Sequence, residues 1–113
     1  MKYVMLILNT EAAQKLSEAE QQDWFAEIMA WYEKHGASGV LAEGGHQLQG
    51  PETAKTARAS GITDGPFIES KEVLGGYSVL EAASVDEAIE VGNTWPGVDR
   101  GLITIEVRPV VEM

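Results

Sequence analysis

The sequence contains no cysteine and few basic residues, and each scarcity excludes a class of function. Without cysteine, the chain has no disulfide, no thiolate nucleophile and no cysteine-based zinc site. Lys and Arg number 8 against 18 Asp and Glu, which gives a net charge of −10. Because nucleic acids and anionic membrane surfaces attract Lys and Arg, we expect neither as a partner. Small molecules, proteins and further copies of the chain remain.

The sequence also opens without a long hydrophobic run. The N-terminal apolar segment, Tyr3–Leu8, is too short for a signal peptide or a membrane span. We therefore expect a cytoplasmic protein. At 113 residues the chain is expected to form a single domain over residues 1–113, with a hydrophobic core of its own.

A capping box predicts the first helix. In Ser17-Glu18-Ala19-Glu20, the hydroxyl and the last carboxylate each satisfy a backbone N–H of the first turn. We predict a helix over residues 18–35, ended by Gly36. Its predicted buried face has i, i+3, i+4, i+7 spacing, with Trp24 and Trp31 flanking it. That face comprises Phe25, Ile28, Met29 and Tyr32.

A second capping box, Ser84-Val85-Asp86-Glu87, predicts another helix. The small residues Ala88 and Gly92 share its face, which predicts close packing on a sheet. Asn93 and Trp95-Pro96-Gly97 end it.

Apolar runs and alternation predict the strands. The nearly continuous apolar character of the first predicts burial on both faces, and hence a central position. Gly44-Gly45 marks a bulge or a close approach in the second, and Pro109 places the last at an edge. The predicted strands are Tyr3–Leu8, Gly39–Leu48, Gly76–Glu81 and Leu102–Val110, with two short edge strands within Thr53–Thr63 that turn near Gly61.

This order of elements predicts an α+β fold. Strand, helix, strand, short hairpin, strand, helix, strand is the split β-α-β arrangement of ferredoxin-like domains. The helices would cover one face of the sheet. Because the first strand has no polar side, the other face also carries apolar residues. We therefore expect a homodimer in which a second copy covers that face.

The stretch Thr63–Gly76 contains a tight turn, Asp64-Gly65-Pro66-Phe67. A carboxylate at Asp64 starts turns by bonding backbone N–H groups two residues on, and Pro66 fixes its own φ. Phe67 is thereby held in one direction. The turn either aims a carboxylate and an aromatic ring at a common point or serves only as a connection.

With this turn, the chain resembles the DGPF subgroup of the YCII-related proteins. The resemblance runs nearly end to end and includes the opening Met1–Ile7, Gly39–Gly44, Thr63–Gly76 with Glu69 and Lys71, and the closing Glu106-Val107-Arg108-Pro109. It implies a ferredoxin-like protomer in a dimeric α/β barrel. Family members are small bacterial cytoplasmic proteins, and some relatives act on small cyclic or aromatic compounds. DGPF genes often neighbour those of extracytoplasmic-function sigma factors, which implies a regulatory role.

The wider family has a proposed His–Asp active pair, whose histidine lies near the start of the first helix. Here residues 17–25 contain no histidine, so only the aspartate carries over, onto Asp64. His46 is the candidate catalytic partner, because a carboxylate can orient an imidazole for proton transfer. A surface histidine at a strand end is the alternative interpretation of His46.

Four further residues are candidates for binding: Glu43, Phe67, Lys71 and Trp24. Glu43 is a pocket carboxylate or an outward-facing strand residue, and Lys71 binds an anionic substrate or is simply solvated. His46, Glu43 and Asp64 lack the close spacing typical of metal ligands, and no phosphate-binding glycine loop is present. We therefore expect no metal site and no cofactor.

Two functions of different class fit these features. The first is an enzyme or binding protein for a small, cyclic or aromatic molecule, with its pocket around Asp64–Phe67. The second is a non-catalytic module that acts through a protein partner in sigma-factor-dependent regulation.

Overall fold

The fold is described by a computed structural model over residues 1–67 and 71–112, so Glu69 of the central stretch lies outside the described residues. In chain order the elements are β1 (Lys2–Asn9), α1 (Glu11–Gln14), α2 (Glu18–Ser38), β2 (Leu41–Gln47), a 3₁₀ turn (Pro51–Thr53), β3 (Lys55–Arg58), β4 (Gly61–Asp64), β5 (Val73–Glu81), α3 (Val85–Gly92) and β6 (Ile103–Pro109). Within the described ranges, none of the helices has both the length and the apolar content needed to cross a membrane.

Four strands form an antiparallel sheet in the order β2-β5-β1-β6. β1 pairs on both sides, which confirms its predicted central position. β6 lies at an edge and ends at Pro109, as its missing N–H requires. This strand order confirms the α+β, ferredoxin-like arrangement.

The core lies between one face of this sheet and the helices. Alternate residues of β1, namely Tyr3, Met5 and Ile7, point to that face and are buried. α3 packs closely on β6, because Gly92 leaves room for Ile105 where a larger side chain would collide with it. The principal core cluster comprises Met5, Ile7, Ala13, Trp31, Leu80, Trp95, Leu102 and Ile103.

Helix α2 differs from its prediction in both length and buried face. It continues through Gly36 to Ser38 and is capped by Gly39 at φ 80°. Phe25 and Met29 are 57% and 53% exposed, so the predicted apolar face is wrong at these positions. Ile28 and Tyr32 of the predicted face do lie inward, together with Trp24, Trp31 and His35.

Hydrogen bonds explain why the tryptophans lie inward. The indole N–H of Trp24 donates to the Pro96 carbonyl at 2.9 Å, and that of Trp31 donates to the Thr94 hydroxyl at 3.0 Å. The Trp95 N–H is buried without a conventional acceptor among the described residues. The Trp24 and Trp95 rings are nearly perpendicular, with their centroids 6.4 Å apart, an edge-to-face arrangement that aromatic rings favour.

The capping box of α2 is confirmed. The Ser17 N–H donates to the Glu20 carboxylate at 3.0 Å, and the Ser17 hydroxyl accepts from the Glu20 N–H at 3.1 Å. The hydrogen bond with the Ser17 backbone and, to a smaller extent, the hydrogen bond with the Ser17 side chain lower the pKa of Glu20. At α3 the box is incomplete: Ser84 caps the Glu87 N–H, but the Glu87 carboxylate lies near the Ala83 N–H at 3.4 Å.

Strands β3 and β4 form a separate two-stranded sheet, so they are not edge strands of the main sheet as predicted. The register pairs Lys55 with Asp64 at the base and Arg58 with Gly61 at the tip. Residues 55–67 are called the arm below. The arm makes little contact with other described elements, and the chain's radius of gyration is 15.2 Å, above the roughly 13 Å of a compact domain of this length.

The Gly44-Gly45 bulge in β2 is confirmed as a break in the register with β5. Ser78, fully buried, donates its hydroxyl hydrogen to the Gly44 carbonyl at 2.7 Å. Because that hydrogen is used, the Tyr32 hydroxyl donates to the Ser78 oxygen at 2.8 Å. A buried polar chain thus fixes the bulge from the helix side.

Replacing Gly45 by alanine is expected to destabilise the protein by about 3 kcal/mol. Gly45 has φ 72°, and a Cβ there would overlap the Tyr77 carbonyl. Gly44→Ala is the matched control, because a Cβ at Gly44 meets nothing within 4 Å, and it should change stability by less than about 0.5 kcal/mol. Urea unfolding measures both, and equal costs would contradict the proposed role of Gly45.

Candidate functional site

The face of the main sheet opposite the helices has no cover among the described elements. In a sheet, side chains alternate between faces, so the residues between Tyr3, Met5 and Ile7 point away from the core. We call this surface the open face. Its apolar members are Val4, Leu6, Leu8, Leu74, Tyr77 and Val79. All three of its β1 members are only half-buried, which is unusual for the central strand of a sheet.

Polar side chains lie at both edges of the open face, with Thr104, Glu106 and Arg108 on β6 and Glu43 and His46 on β2. Register pairs His46 with Tyr77 and Glu43 with Val79, so both side chains lie on the open face. The ring centroids of His46 and Tyr77 are 5.9 Å apart and the rings are inclined at 59°. Both His46 and Glu43 are exposed. The imidazole of His46, the phenol of Tyr77 and the carboxylate of Glu43 therefore lie next to the apolar residues of the open face.

The Asp64-Gly65-Pro66-Phe67 turn lies at the base of the arm. Gly65 adopts φ 94°, its N–H donates to the Ala54 carbonyl at 2.8 Å, and its own carbonyl accepts from the Thr56 hydroxyl at 2.8 Å. The Arg58 guanidinium donates to the Phe67 carbonyl at 2.7 Å, which turns the chain back along the arm. The Phe67 side chain itself is 67% exposed.

Asp64 does not stabilise the turn in the predicted way. The residue two positions on is Pro66, which has no N–H to donate. The carboxylate instead accepts from the Lys55 ammonium at 2.7 Å, across the base of the arm, and the Asp64 side chain is 86% exposed. An exposed pair of this kind contributes at most about 1 kcal/mol. Asp64 thus remains accessible.

The structure brings some predicted site residues together and separates others. His46 and Glu43 share the open face, whereas Asp64 and Phe67 lie on the arm, and no hydrogen bond or ion pair joins Asp64 to His46 among the described residues. Lys71 is exposed, with its ammonium 4.0 Å from the Glu11 carboxylate. Within one chain, the predicted Asp64–His46 pair is therefore not formed.

Trp24 lies on the helix side of the sheet, away from His46. It lines a cleft of about 300 Å³, together with Leu16, Glu20, Asp23, Arg100 and Leu102. A neighbouring cleft of about 580 Å³ shares Arg100, whose guanidinium donates to the Glu27 carboxylate at 2.6 Å. The Trp24 N–H donates to the Pro96 carbonyl and so anchors α2 to the segment that follows α3.

Neither Tyr77 on the open face nor Ser78, which supports the bulge beneath it, was predicted from the sequence. A serine between apolar residues of β5 is the available signal for Ser78, because a buried hydroxyl requires a partner. Tyr77 becomes recognisable only once the register places it beside His46. Among the described residues, no group of three His, Asp or Glu side chains is arranged to hold a metal ion.

Comparisons with known proteins agree with this architecture. An uncharacterized protein of Rhizobium meliloti (strain 1021) is 28% identical over 114 residues, covering 97% of this chain and 92% of that protein. The solved structure of 5-chloro-2-hydroxyhydroquinone dehydrochlorinase from Burkholderia phenoliruptrix AC1100, in complex with 2,5-dihydroxybenzoquinone, matches with a TM-score of 0.61. The match covers 100% of this chain and 96% of that one at 18% identity, and it concerns the fold alone.

The model of the YCII-related domain matches residues 1–113. The protein therefore belongs to the YCII-related family.

Proposed function

We propose that the protein is a cytoplasmic homodimer that binds or converts a small cyclic or aromatic molecule on the open face, beside the Asp64–Phe67 turn. The observation that carries this proposal is the His46–Tyr77 pair at the edge of an uncovered apolar surface. We also assign the chain to the DGPF subgroup, on its Asp64-Gly65-Pro66-Phe67 sequence.

The chemistry of these residues suits an aromatic ligand. Tyr77 and the exposed Phe67 offer ring surfaces on which a planar molecule can stack. The His46 imidazole can accept or donate a proton, and Asp64 or Glu43 can orient it. Lys71 supplies a cation for an acidic substituent.

The structural neighbour adds support from a second direction. That enzyme is named for a chlorinated hydroxyhydroquinone, and its solved complex contains a dihydroxybenzoquinone; both compounds are small rings with oxygen substituents. A fold of this kind therefore accommodates such molecules in at least one protein. We infer that phenols, hydroquinones and quinones are the first compounds to test here.

A thermal-shift screen of single-ring phenols, hydroquinones and quinones should return compounds that stabilise the protein by mass action. We expect His46→Gln to weaken the affinity for such a compound about tenfold, equivalent to about 1.4 kcal/mol. His35→Gln is the matched control, because His35 is the chain's other histidine and packs against Trp31 on the helix side. Equal losses in both variants would contradict a site on the open face.

Asp64→Asn is expected to lower the affinity for the same compound about tenfold while leaving the melting temperature nearly unchanged. The change removes the charge of an exposed carboxylate and retains its shape. Lys55→Met separates the two roles of Asp64, because it breaks the same ion pair and keeps the carboxylate. A loss of affinity in Lys55→Met equal to that in Asp64→Asn would assign the effect to the architecture of the arm.

The proposed dimer follows from the half-buried apolar residues of the open face. We expect sedimentation at micromolar concentration to show a dimer, and Leu6→Glu to raise its dissociation constant by at least about a hundredfold, because it places an unpaired charge in the interface. Phe25→Glu introduces the same charge on the outer side of α2 and should leave the dimer intact. A monomeric wild-type protein would overturn the dimer.

A second candidate function, the regulatory module acting through a protein partner, is favoured by one observation. Phe25 and Met29 form an exposed apolar pair on α2 that no described element covers. If a sigma factor is that partner, its affinity should fall at least about tenfold in Phe25→Ser and be unchanged in His46→Gln. A loss of affinity in His46→Gln with none in Phe25→Ser would instead place the functional surface on the open face.

A further inference from the structure

We propose that the arm of one copy docks on the open face of a second copy, and that it places Asp64 beside the partner's His46. The inference rests on the homodimer proposed above. It assigns the site to two chains, each of which supplies one member of the Asp–His pair. Neither chain would then have a complete site alone.

The arm lacks packing within its own chain. A two-stranded ribbon is at best marginally stable in water, and it normally requires a third strand or a packing surface. β3 and β4 pack on each other and make little contact with the other described elements. The arm therefore requires a surface that its own chain does not provide.

One side of the arm is free to meet that surface. The ladder places Ala57 and Ile62 on one side with Lys55 and Asp64, and Thr56 on the other. The Thr56 side is occupied, because residues 65–67 fold over it through the bonds from Thr56 and Arg58. On the free side, Ile62 is 75% exposed. This free side combines an apolar centre with a carboxylate at the base.

The spacing on the arm matches the spacing on the open face. Ile62 and Asp64 are two residues apart in β4, which corresponds to about 7 Å on one side of a strand. Tyr77 and His46 are separated by 5.9 Å between ring centroids. When Ile62 rests on the partner's Tyr77, the Asp64 carboxylate can reach the partner's His46, which has no hydrogen-bond partner in its own chain among the described residues.

Charge favours a second copy as the occupant. The arm contains two basic residues and one acidic residue, so its net charge is +1, whereas the rest of the chain carries six basic and 17 acidic residues and a net charge of −11. Two such acidic bodies repel each other. An arm that reaches across brings Lys55, which lies on the free side of the arm, to the acidic partner and reduces that repulsion.

Disulfide trapping tests the arrangement, because the chain has no cysteine of its own. Ile62→Cys chains are mixed with isotope-labelled Tyr77→Cys chains and oxidised gently. We expect a mixed covalent dimer to form about a thousandfold faster than with Asp86→Cys chains as the partner, since contact in an interface raises the effective thiol concentration from micromolar to millimolar. Asp86 is exposed on α3, on the opposite side of the sheet.

A second pair, Ala57→Cys with Leu74→Cys, keeps the test valid if the loss of Tyr77 weakens the dimer. Equal rates for both pairs and for the Asp86→Cys control would overturn the proposal, as would a disulfide within one chain in the Ile62→Cys/Tyr77→Cys double variant. The outcome is independent of the ligand. If the disulfide forms efficiently but the screen finds no ligand whose affinity depends on His46, the docking of the arm is supported and the small-molecule function is contradicted. If such a ligand is found but no disulfide forms, the small-molecule function is supported and the docking of the arm is contradicted.

Discussion

The double pairing of β1 is the constraint on which the rest of the structure depends. A strand hydrogen-bonded on both sides to β5 and β6 has no freedom to turn its apolar residues inward together, so half of them point to each face. The helices and their tryptophans fill one face. The other face keeps Val4, Leu6 and Leu8 half-buried, and the protein must either cover this surface or use it.

The sequence was sufficient for the elements whose signals are local. The apolar β1, the Ser17–Glu20 capping box and the edge position of Pro109 follow from side-chain chemistry within a few residues, and all three are confirmed. The buried face of α2 depended on distant residues. Two apolar sides of that helix are candidates for burial. The side with Trp24 and Trp31 lies inward because Thr94 and Pro96, which are distant in sequence, accept hydrogen bonds from the two indole N–H groups.

The candidate site was predictable in its residue types and not in its arrangement. His46 and Glu43 were recognised from the sequence, but their position beside Tyr77 and Val79 depends on a bulge that shifts the register of β2. That bulge is held by Gly45 and by the Ser78 hydroxyl, a contact that reaches from residue 44 to residue 78. The Asp64 turn was recognised by its Gly and Pro, yet sequence alone gave no sign that the arm would leave the sheet.

Hydroxyl-radical footprinting across a dilution series tests most directly whether the open face is the working surface of the protein. We expect the labelling of Leu6, Leu8 and Tyr77 to fall as the protein concentration rises through the dimer range, while Phe25 and Met29 on α2 stay labelled throughout. Protection of Phe25 and Met29, with the open face labelled at every concentration, would contradict this expectation.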